Sequence, residues 1–356
     1  MNLEGLEHQA ILEKMREGLA HLTPDAELQI KSELVYEILR LKRERNAIIL
    51  GHNYMEPVLF HTIPDIVGDS LYLAQAAAAT ERDVIVFCGV RFMAETAKIL
   101  NPTKTVLLPA QEAGCSLAAS ITAQDVRDLK NMFPGVPVVV YVNTYADVKA
   151  EADFCCTSGN AAAVLDAMES EEVLFLPDEF LARNTAEETG RGCVVVTRNT
   201  SGELEAQPPV LPRTERGSVI AWHGKCEVHE QFQVEDITLA RKQFPDIEVI
   251  THPESSPEVV HASDFSGSTT RMVQYVKESS KNHFLILTEC SMGDNIIAEN
   301  PEKKVAQLCN VRCPHMNQIT LEDVVHALRN DVTLITVEEE VRQKALRSVE
   351  RMIAIS

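Results

Sequence analysis

Residues 47–57 read AIILGHNYMEP, a short apolar run that ends in a polar tip. The run is β-rich and apolar on successive residues, the pattern of a strand buried on both faces of a parallel sheet. A small-residue turn then opens the helically spaced stretch IVGDSLYLAQAAA (66–78). A second apolar run ends in another polar tip, VIVFCGVRFMAE (84–95), and a lone cysteine follows in AGCSLA (113–118). The same order returns in VVVYVNTYAD (138–147), FCCTSGNAAAVLDAM (154–168), VLFLPDEFLA (173–182) and WHGKCEVHE (222–230). It returns again in EVITHPESS (248–256), FSGSTTRMVQYV (265–276), FLILTECSMGD (284–294) and VRCPHM (311–316). Spacing agrees: His52 to Ser70 is 18 residues, Asn143 to Ser158 is 15 and His252 to Ser268 is 16. Self-similarity in a fixed order marks an internal repeat.

Alternating strands and helices predict the α/β class, with right-handed crossovers. Three copies predict three pseudo-homologous three-layer αβα domains with parallel sheets around a pseudo-threefold axis. The expected boundaries are an N-terminal helical extension (1–34), domains at 35–120, 121–232 and 233–320, and a C-terminal helical tail (321–356) packing on the body. The second copy is longer: Leu176 to Cys226 is 50 residues, against 27 from Cys88 to Cys115 and 26 from Leu287 to Cys313. The extra residues, around 184–215, are rich in Thr, Arg, Glu, Pro and Gly and read as an inserted loop region.

Composition narrows the function classes. The 356 residues are 45% hydrophobic with a mean hydropathy of -0.08. No apolar stretch approaches the roughly 18 residues of a membrane helix. The N-terminus, MNLEGLEHQAILEKMREGL, lacks a basic segment followed by an apolar one, so no secretory signal is visible and a cytoplasmic location is expected. Net charge is -20, and the longest basic cluster is LKRER at 41–45. Nucleic acid is not an expected partner, nor is a membrane. Small anionic substrates remain compatible with acidity, because helix N-termini attract them locally.

Nine cysteines stand at 88, 115, 155, 156, 193, 226, 290, 309 and 313. In a reducing compartment they are core residues or metal ligands. Cys115, Cys226 and Cys313 recur at one place of the repeat. Around a pseudo-threefold axis, three such thiolates converge on one point, which suits a [4Fe–4S] cluster with one iron left open. An open position marks a catalytic metal that can act as a Lewis acid. The other six read as ordinary core or structural cysteines. Cys309 and Cys313, four apart, also fit a redox pair or half of a zinc site.

In doubly wound sheets ligands gather at the carboxyl ends of the strands, where the polar tips fall. Ser70, Ser158, Asn160, Ser268 and Thr269 stand at expected helix starts, where free N–H groups and the dipole bind anions or the side chain serves as a cap. Acid–base work falls to His52 and Tyr54 in the first copy, Tyr141 and Asn143 in the second, and His252 and Glu254 in the third. Glu254 is the candidate general base, with a pKa expected to rise toward neutrality by partial desolvation. His52 and His252 suit proton transfer, and Tyr54 and Tyr141 suit hydrogen bonding to a carbonyl or alkoxide. His229 is expected either beside the cluster or at the surface.

The ordered motifs GHNYMEP, GDSLYLA, FCGVRFMAE, LLPAQEAGCSLA, VVVYVNT, CTSGNA, GKCEVHE, HPES, GSTTRM, LTE and CPHM resemble those of the quinolinate synthase family from about residue 35 to 320. The resemblance implies three α/β domains around an oxygen-sensitive [4Fe–4S] cluster on Cys115, Cys226 and Cys313. It implies condensation of iminoaspartate with dihydroxyacetone phosphate to quinolinate, releasing phosphate and water, in de novo NAD biosynthesis. A transient contact with L-aspartate oxidase, the source of unstable iminoaspartate, goes with it. The chain departs from the simplest family pattern at the 184–215 insert and at the CxxxC of 309–313, where some members carry CxxC. Cys313 rather than Cys309 is favoured as ligand, because the Pro-x-Met that follows it matches the family. Competing expectations are an open-cluster hydro-lyase acting on a small hydroxy acid, a redox or iron-sensing regulator, and a zinc-stabilised scaffold.

Overall fold

The apolar runs form strands. In the structure, a computed structural model that describes residues 1–208, 214–308 and 311–355, they are β1 (Ala47–His52), β2 (Ile66–Gly68), β3 (Val84–Cys88), β4 (Thr105–Leu107), β5 (Val138–Tyr141), β6 (Phe154–Cys156), β7 (Glu172–Leu176), β8 (Gly192–Arg198), β9 (Leu204–Gln207), β10 (Ser218–Trp222), β11 (Glu248–Thr251), β12 (Phe265–Ser266), β13 (His283–Leu287) and β14 (Lys304–Gln307). The chain divides into two compact units. The first is Met1–Gly114, Asp246–Glu248 and Val273–Thr336; the second is Cys115–Pro245, Val249–Met272 and Val337–Ser356.

In the first unit β1–β4 make a parallel sheet of order β2-β1-β3-β4, and β13 pairs with β14, also in parallel. Ile49, Leu50, Ile85 and Val86 are fully buried, as the unbroken apolar runs require. Each such side chain contributes roughly 1.5–3 kcal/mol relative to an exposed one. Helices Asp25–Glu44 and Ser70–Ala79 pack on β1, Arg91–Leu100 on β3 and β4, and Leu321–Asn330 on β3. Asp25–Glu44 runs unbroken past residue 34, where the helical extension was expected to end.

In the second unit the order is β6-β5-β7-β10-β8-β9, parallel except that β9 runs antiparallel to β8. β11 and β12 pair in parallel. Within segment 184–215, expected as an inserted loop region, residues 184–188 complete the helix Glu179–Glu188 and residues 192–207 supply β8 and β9, which extend the sheet beyond β10; residues 209–213 lie outside the described residues. The run CVVVTR was long enough to pair, and pairing satisfies backbone groups that a buried loop would leave orphaned. The C-terminal helix Glu339–Ala354 packs on β6. Its Ser348 hydroxyl donates to Lys149 O at 2.9 Å, and the Asn160 amide donates to Met352 O (3.1 Å) and Ile355 O (2.6 Å).

One lock recurs in all three copies. Asp65, Asp153 and Asp264 each accept the N–H of a first-strand residue, Ile49, Val138 and Val249, at 2.8 Å. Each returns its own N–H to that residue's carbonyl at 2.8–2.9 Å. The repeat read from the sequence is therefore a repeat of local structure. No helix among the described residues is long and apolar enough to cross a membrane.

Candidate functional site

The three recurring cysteines stand in one local frame. Two residues before each, a carbonyl accepts an N–H from the helix start after the second strand: Arg91 to Ala113 (2.8 Å), Glu179 to Gly224 (2.8 Å) and Cys290 to Val311 (3.1 Å). Each cysteine carbonyl accepts the N–H four residues on: Ala119 to Cys115 (3.0 Å), Glu230 to Cys226 (3.0 Å) and Asn317 to Cys313 (3.1 Å). Seven residues after each cysteine a reciprocal cap opens the next helix, Thr122 with Asp125, Gln233 with Asp236 and Thr320 with Asp323. A glycine is required before Cys226, because a Cβ at Gly224 would lie 2.6 Å from Pro177 O.

In the second unit, Cys115 and Cys226 share a neighbourhood. Trp222 Nε1 donates to Ser120 O at 3.0 Å, joining the end of β10 to the turn after Cys115. Ligand atoms of Cys226, His229 and Glu254 lie within 4.8 Å of one another. Burial, the Glu254 carboxylate and Cys115 together hold the Cys226 thiol well above its usual pKa. Two thiols and a carboxylate that oppose one another's ionisation form a donor set that a multivalent cation stabilises. The residues thus fit an iron–sulfur centre. Cys313 lies in the first unit; Cys309 lies outside the described residues. Cys88, Cys155, Cys156 and Cys290 are buried core thiols, as expected.

Glu254 is the hub of the candidates in this unit. His229 Nδ1 lies 2.7 Å from its Oε2, and His252 Nδ1 lies 3.9 Å from the same oxygen. The two imidazoles stack with centroids 4.7 Å apart. Asn143 Nδ2 donates to Glu254 Oε1 at 3.3 Å, Tyr141 hydrogen-bonds the carboxylate, and His252 Nε2 lies 3.1 Å from Ser158 Oγ. Tyr141, Asn143, Ser158, His252 and Glu254 are therefore brought together, with His229 added. The sequence offered His229 only the choice between cluster and surface; it is 1% exposed.

The electrostatics correct one expectation. Burial raises the Glu254 pKa, but the positive field of His229, then of His252, with hydrogen bonds from His229 and Tyr141, overcomes it and holds the carboxyl below its ordinary range. Asp178 goes the other way: burial, then repulsion from Glu254, raises it well above its usual value. Two carboxyls whose environments push their pKa values apart divide the acid and base forms between them. Asp178 is fully buried and caps the helix Glu179–Glu188 by accepting Leu181 N–H at 2.8 Å. Its Oδ2 and the amide oxygen of Asn143 are buried without a partner among the described residues.

Beyond this hub, Ser158, Ser268, Asn184 and Arg271 line a cavity of about 500 Å³. Ser268 and Thr269, each 3% exposed, open the helix Thr269–Glu278. Asn160 stands at the start of the helix Ala161–Asp166 and also lines this cavity, and its amide is engaged by Thr157 N–H, Met352 O and Ile355 O.

In the first unit, His52 and Tyr54 lie together, rings 4.7 Å apart, and His52 Nδ1 accepts Tyr54 N–H at 3.2 Å. The Tyr54 hydroxyl lies 2.6 Å from Thr288 Oγ1. Ser70 is the first residue of its helix, behind the cap Asp69. Glu289, at the place of Asp178 in the third copy, is fully buried and caps the helix Cys290–Glu299. Burial pushes it up to about 7 against the pull of Ser291 N–H, Arg312 and Cys313 N–H.

Parallel α/β sheets with acid–base groups at the strand tips mark an enzyme of small-molecule substrates. A family model described as Quinolinate synthetase A protein matches residues 36–354. The chain is 49% identical over 318 residues to "Quinolinate synthase 2" of Mesorhizobium japonicum, covering 89% of this chain and 90% of that protein. It is 49% identical to "Quinolinate synthase" of Xylella fastidiosa (strain 9a5c), covering 89% and 86%, and 48% identical to "Quinolinate synthase" of Agrobacterium fabrum, covering 95% and 90%. The chain belongs to the quinolinate synthase family.

Proposed function

We propose that this chain synthesises quinolinate for NAD biosynthesis, condensing iminoaspartate with dihydroxyacetone phosphate and releasing phosphate and water. The observation that carries the reading is the Glu254 hub, a buried carboxylate held ionised by two histidines within reach of the Cys226 sulfur. We assign Cys115, Cys226 and Cys313 to a [4Fe–4S] cluster, supported by their common local frame. When bound, the cluster supplies a Lewis-acidic iron with an open position.

The chain's own groups divide the remaining work. Ser158, Ser268 and Thr269, at helix starts, offer hydroxyl and N–H donors to the substrate phosphate and carboxylates. Ser70 offers the same at its helix start. Glu254 takes the proton lost from carbon in enolisation, and the positive field around it keeps it deprotonated between turnovers. Asn143 and Tyr141 hold the carboxylate in place. His252 lies against His229 and reaches Ser158 Oγ with Nε2 at 3.1 Å, which places an imidazole beside the base and at the substrate-binding helix start. His52 and Tyr54 supply a paired imidazole and phenol at the first copy's tip for a substrate oxygen. Delivery of iminoaspartate by L-aspartate oxidase through transient contact, in the cytoplasm, completes the proposal.

The test is anaerobic assay with iminoaspartate generated in situ and dihydroxyacetone phosphate. Quinolinate and inorganic phosphate in equal amounts support the reading. Dehydration of a hydroxy acid with no phosphate released replaces it with the hydro-lyase.

A further inference from the structure

Two asparagines hold the backbone beside two of the candidate catalytic side chains in the same way. Asn184, on the helix Glu179–Glu188, donates both amide protons, to Pro253 O at 2.8 Å and to Ser255 O at 2.9 Å. These carbonyls flank Glu254. Asn295, on the helix Cys290–Glu299, donates to Asn53 O at 3.1 Å and Met55 O at 2.9 Å, the carbonyls that flank Tyr54.

The two asparagines are repeat equivalents. Asn184 follows the buried helix cap Asp178 by six residues, and Asn295 follows the buried helix cap Glu289 by six. The tips they hold are equivalent too. In each, a histidine carbonyl closes a tight turn by accepting the N–H three residues on: Ser255 to His252 at 3.0 Å and Met55 to His52 at 3.0 Å. The histidine Nδ1 accepts the N–H between, from Glu254 at 3.4 Å and Tyr54 at 3.2 Å. One primary amide takes both carbonyls on either side of Glu254, and another takes both beside Tyr54. A carboxylate of the same shape would face two carbonyls with lone pairs, and a hydroxyl has one proton for two acceptors. At the same place in the first copy, Thr96 donates to its own helix, to Phe92 O at 2.8 Å.

We propose that Asn184 and Asn295 are positioning residues, each fixing a strand tip through its two flanking carbonyls so that Glu254 and Tyr54 are held in reacting geometry. The assignment of what those side chains do rests on the quinolinate synthase reading; the clamp itself does not. A displacement of about 1 Å in a reacting group can cost on the order of 100-fold in rate, so a small slackening of the tip is visible in turnover.

The experiment is hydrogen exchange by mass spectrometry on the cluster-free full chain, paired with kinetics on cluster-loaded enzyme, for wild type, Asn184→Asp, Asn184→Ser, Asn295→Asp and Asn295→Ser. Exchange should rise about tenfold in the peptide covering 252–256 for the Asn184 variants only, and in the peptide covering 52–56 for the Asn295 variants only. Each Ser variant should fall between wild type and its Asp counterpart. In kinetics, kcat per cluster should fall on the order of 100-fold for the Asp variants, with KM for both substrates within about threefold. Unchanged exchange at the tips, or a rise spread evenly over the chain with kcat per cluster intact, overturns the clamp. A local rise in exchange in a protein that makes no quinolinate leaves the clamp standing and removes the functional reading instead. Should the Asp variants fail to fold, the Ser variants decide alone, because wild-type exchange at their tips is sufficient to reject the proposal.

Discussion

His229 Nδ1 and Glu254 Oε2 lie 2.7 Å apart with both side chains no more than 4% exposed, so the carboxylate has its partner inside a site that water scarcely reaches. A buried carboxylate alone would protonate. Beside His229, and with His252 at 3.9 Å, it stays ionised, as a weaker base than an unperturbed carboxylate.

Replacing Glu254 by Gln should lower kcat on the order of 10²–10⁴-fold while the cluster's visible spectrum persists. Normal turnover in that variant removes Glu254 as the base. His229→Ala should act through Glu254. In the wild type the depressed carboxyl is ionised throughout the working range and adds no acid limb to the kcat–pH profile. Without His229 its pKa rises, and a limb should enter from the acid side. A profile unchanged by His229→Ala contradicts the pairing.

Burial, then repulsion from Glu254, pushes Asp178 toward its protonated form. Asp178→Asn keeps the oxygen that caps Leu181 N–H and should change unfolding free energy by less than about 1 kcal/mol. Asp178→Ala loses the cap and should cost about 1 kcal/mol or more. Denaturant unfolding at pH 7 separates them, and an Asn variant as damaged as the Ala variant would mean that the carboxyl is ionised.

Glu289 gives the fold a pH dependence of opposite sense to that of an ordinary carboxylate. Its folded pKa is pushed up to about 7, so between about 4.5 and 7 the folded chain holds a proton that the unfolded chain releases. Stability contributed by this group is complete below 4.5 and falls as pH rises through 7, by roughly 3 kcal/mol in all. Unfolding of cluster-free protein at pH 5 and pH 8 should show that loss in wild type and not in Glu289→Gln. Parallel profiles would contradict it.

The Tyr54 hydroxyl and Thr288 Oγ1, 2.6 Å apart, allow structure to be separated from chemistry. Thr288→Val should cost about 1 kcal/mol of stability and leave kcat within about threefold. Tyr54→Phe should cost similar stability and lower kcat at least about tenfold. Equal kcat in the two variants would confine Tyr54 to packing.

Much of this was legible because the chain states it three times. The apolar runs, the polar tips and the lone cysteines recur in order in the sequence; the structure adds the lock at Asp65, Asp153 and Asp264 and the capped helices after the cysteines, which periodicity does not show. Glu254 and His252 were visible as strand-tip residues. The sign of the Glu254 pKa shift was not, because it depends on His229, which arrives from a turn 25 residues earlier. The strands β8 and β9 were obscured by their polar flanks, although CVVVTR carried the β-rich run. Asn184 and Asn295 were missed because mid-helix asparagines carry no local signal; only their shared six-residue offset from Asp178 and Glu289 could have shown them.

The central claim is the proposed three-thiolate centre. Its most direct test is iron and sulfide analysis with visible and EPR spectra on anaerobically purified wild type, Cys115→Ala, Cys226→Ala and Cys313→Ala. The account predicts about four irons and four sulfides per chain in wild type and loss of the cluster signal in every variant. Zinc in place of iron, or a cluster that survives loss of any one of the three cysteines, would contradict it.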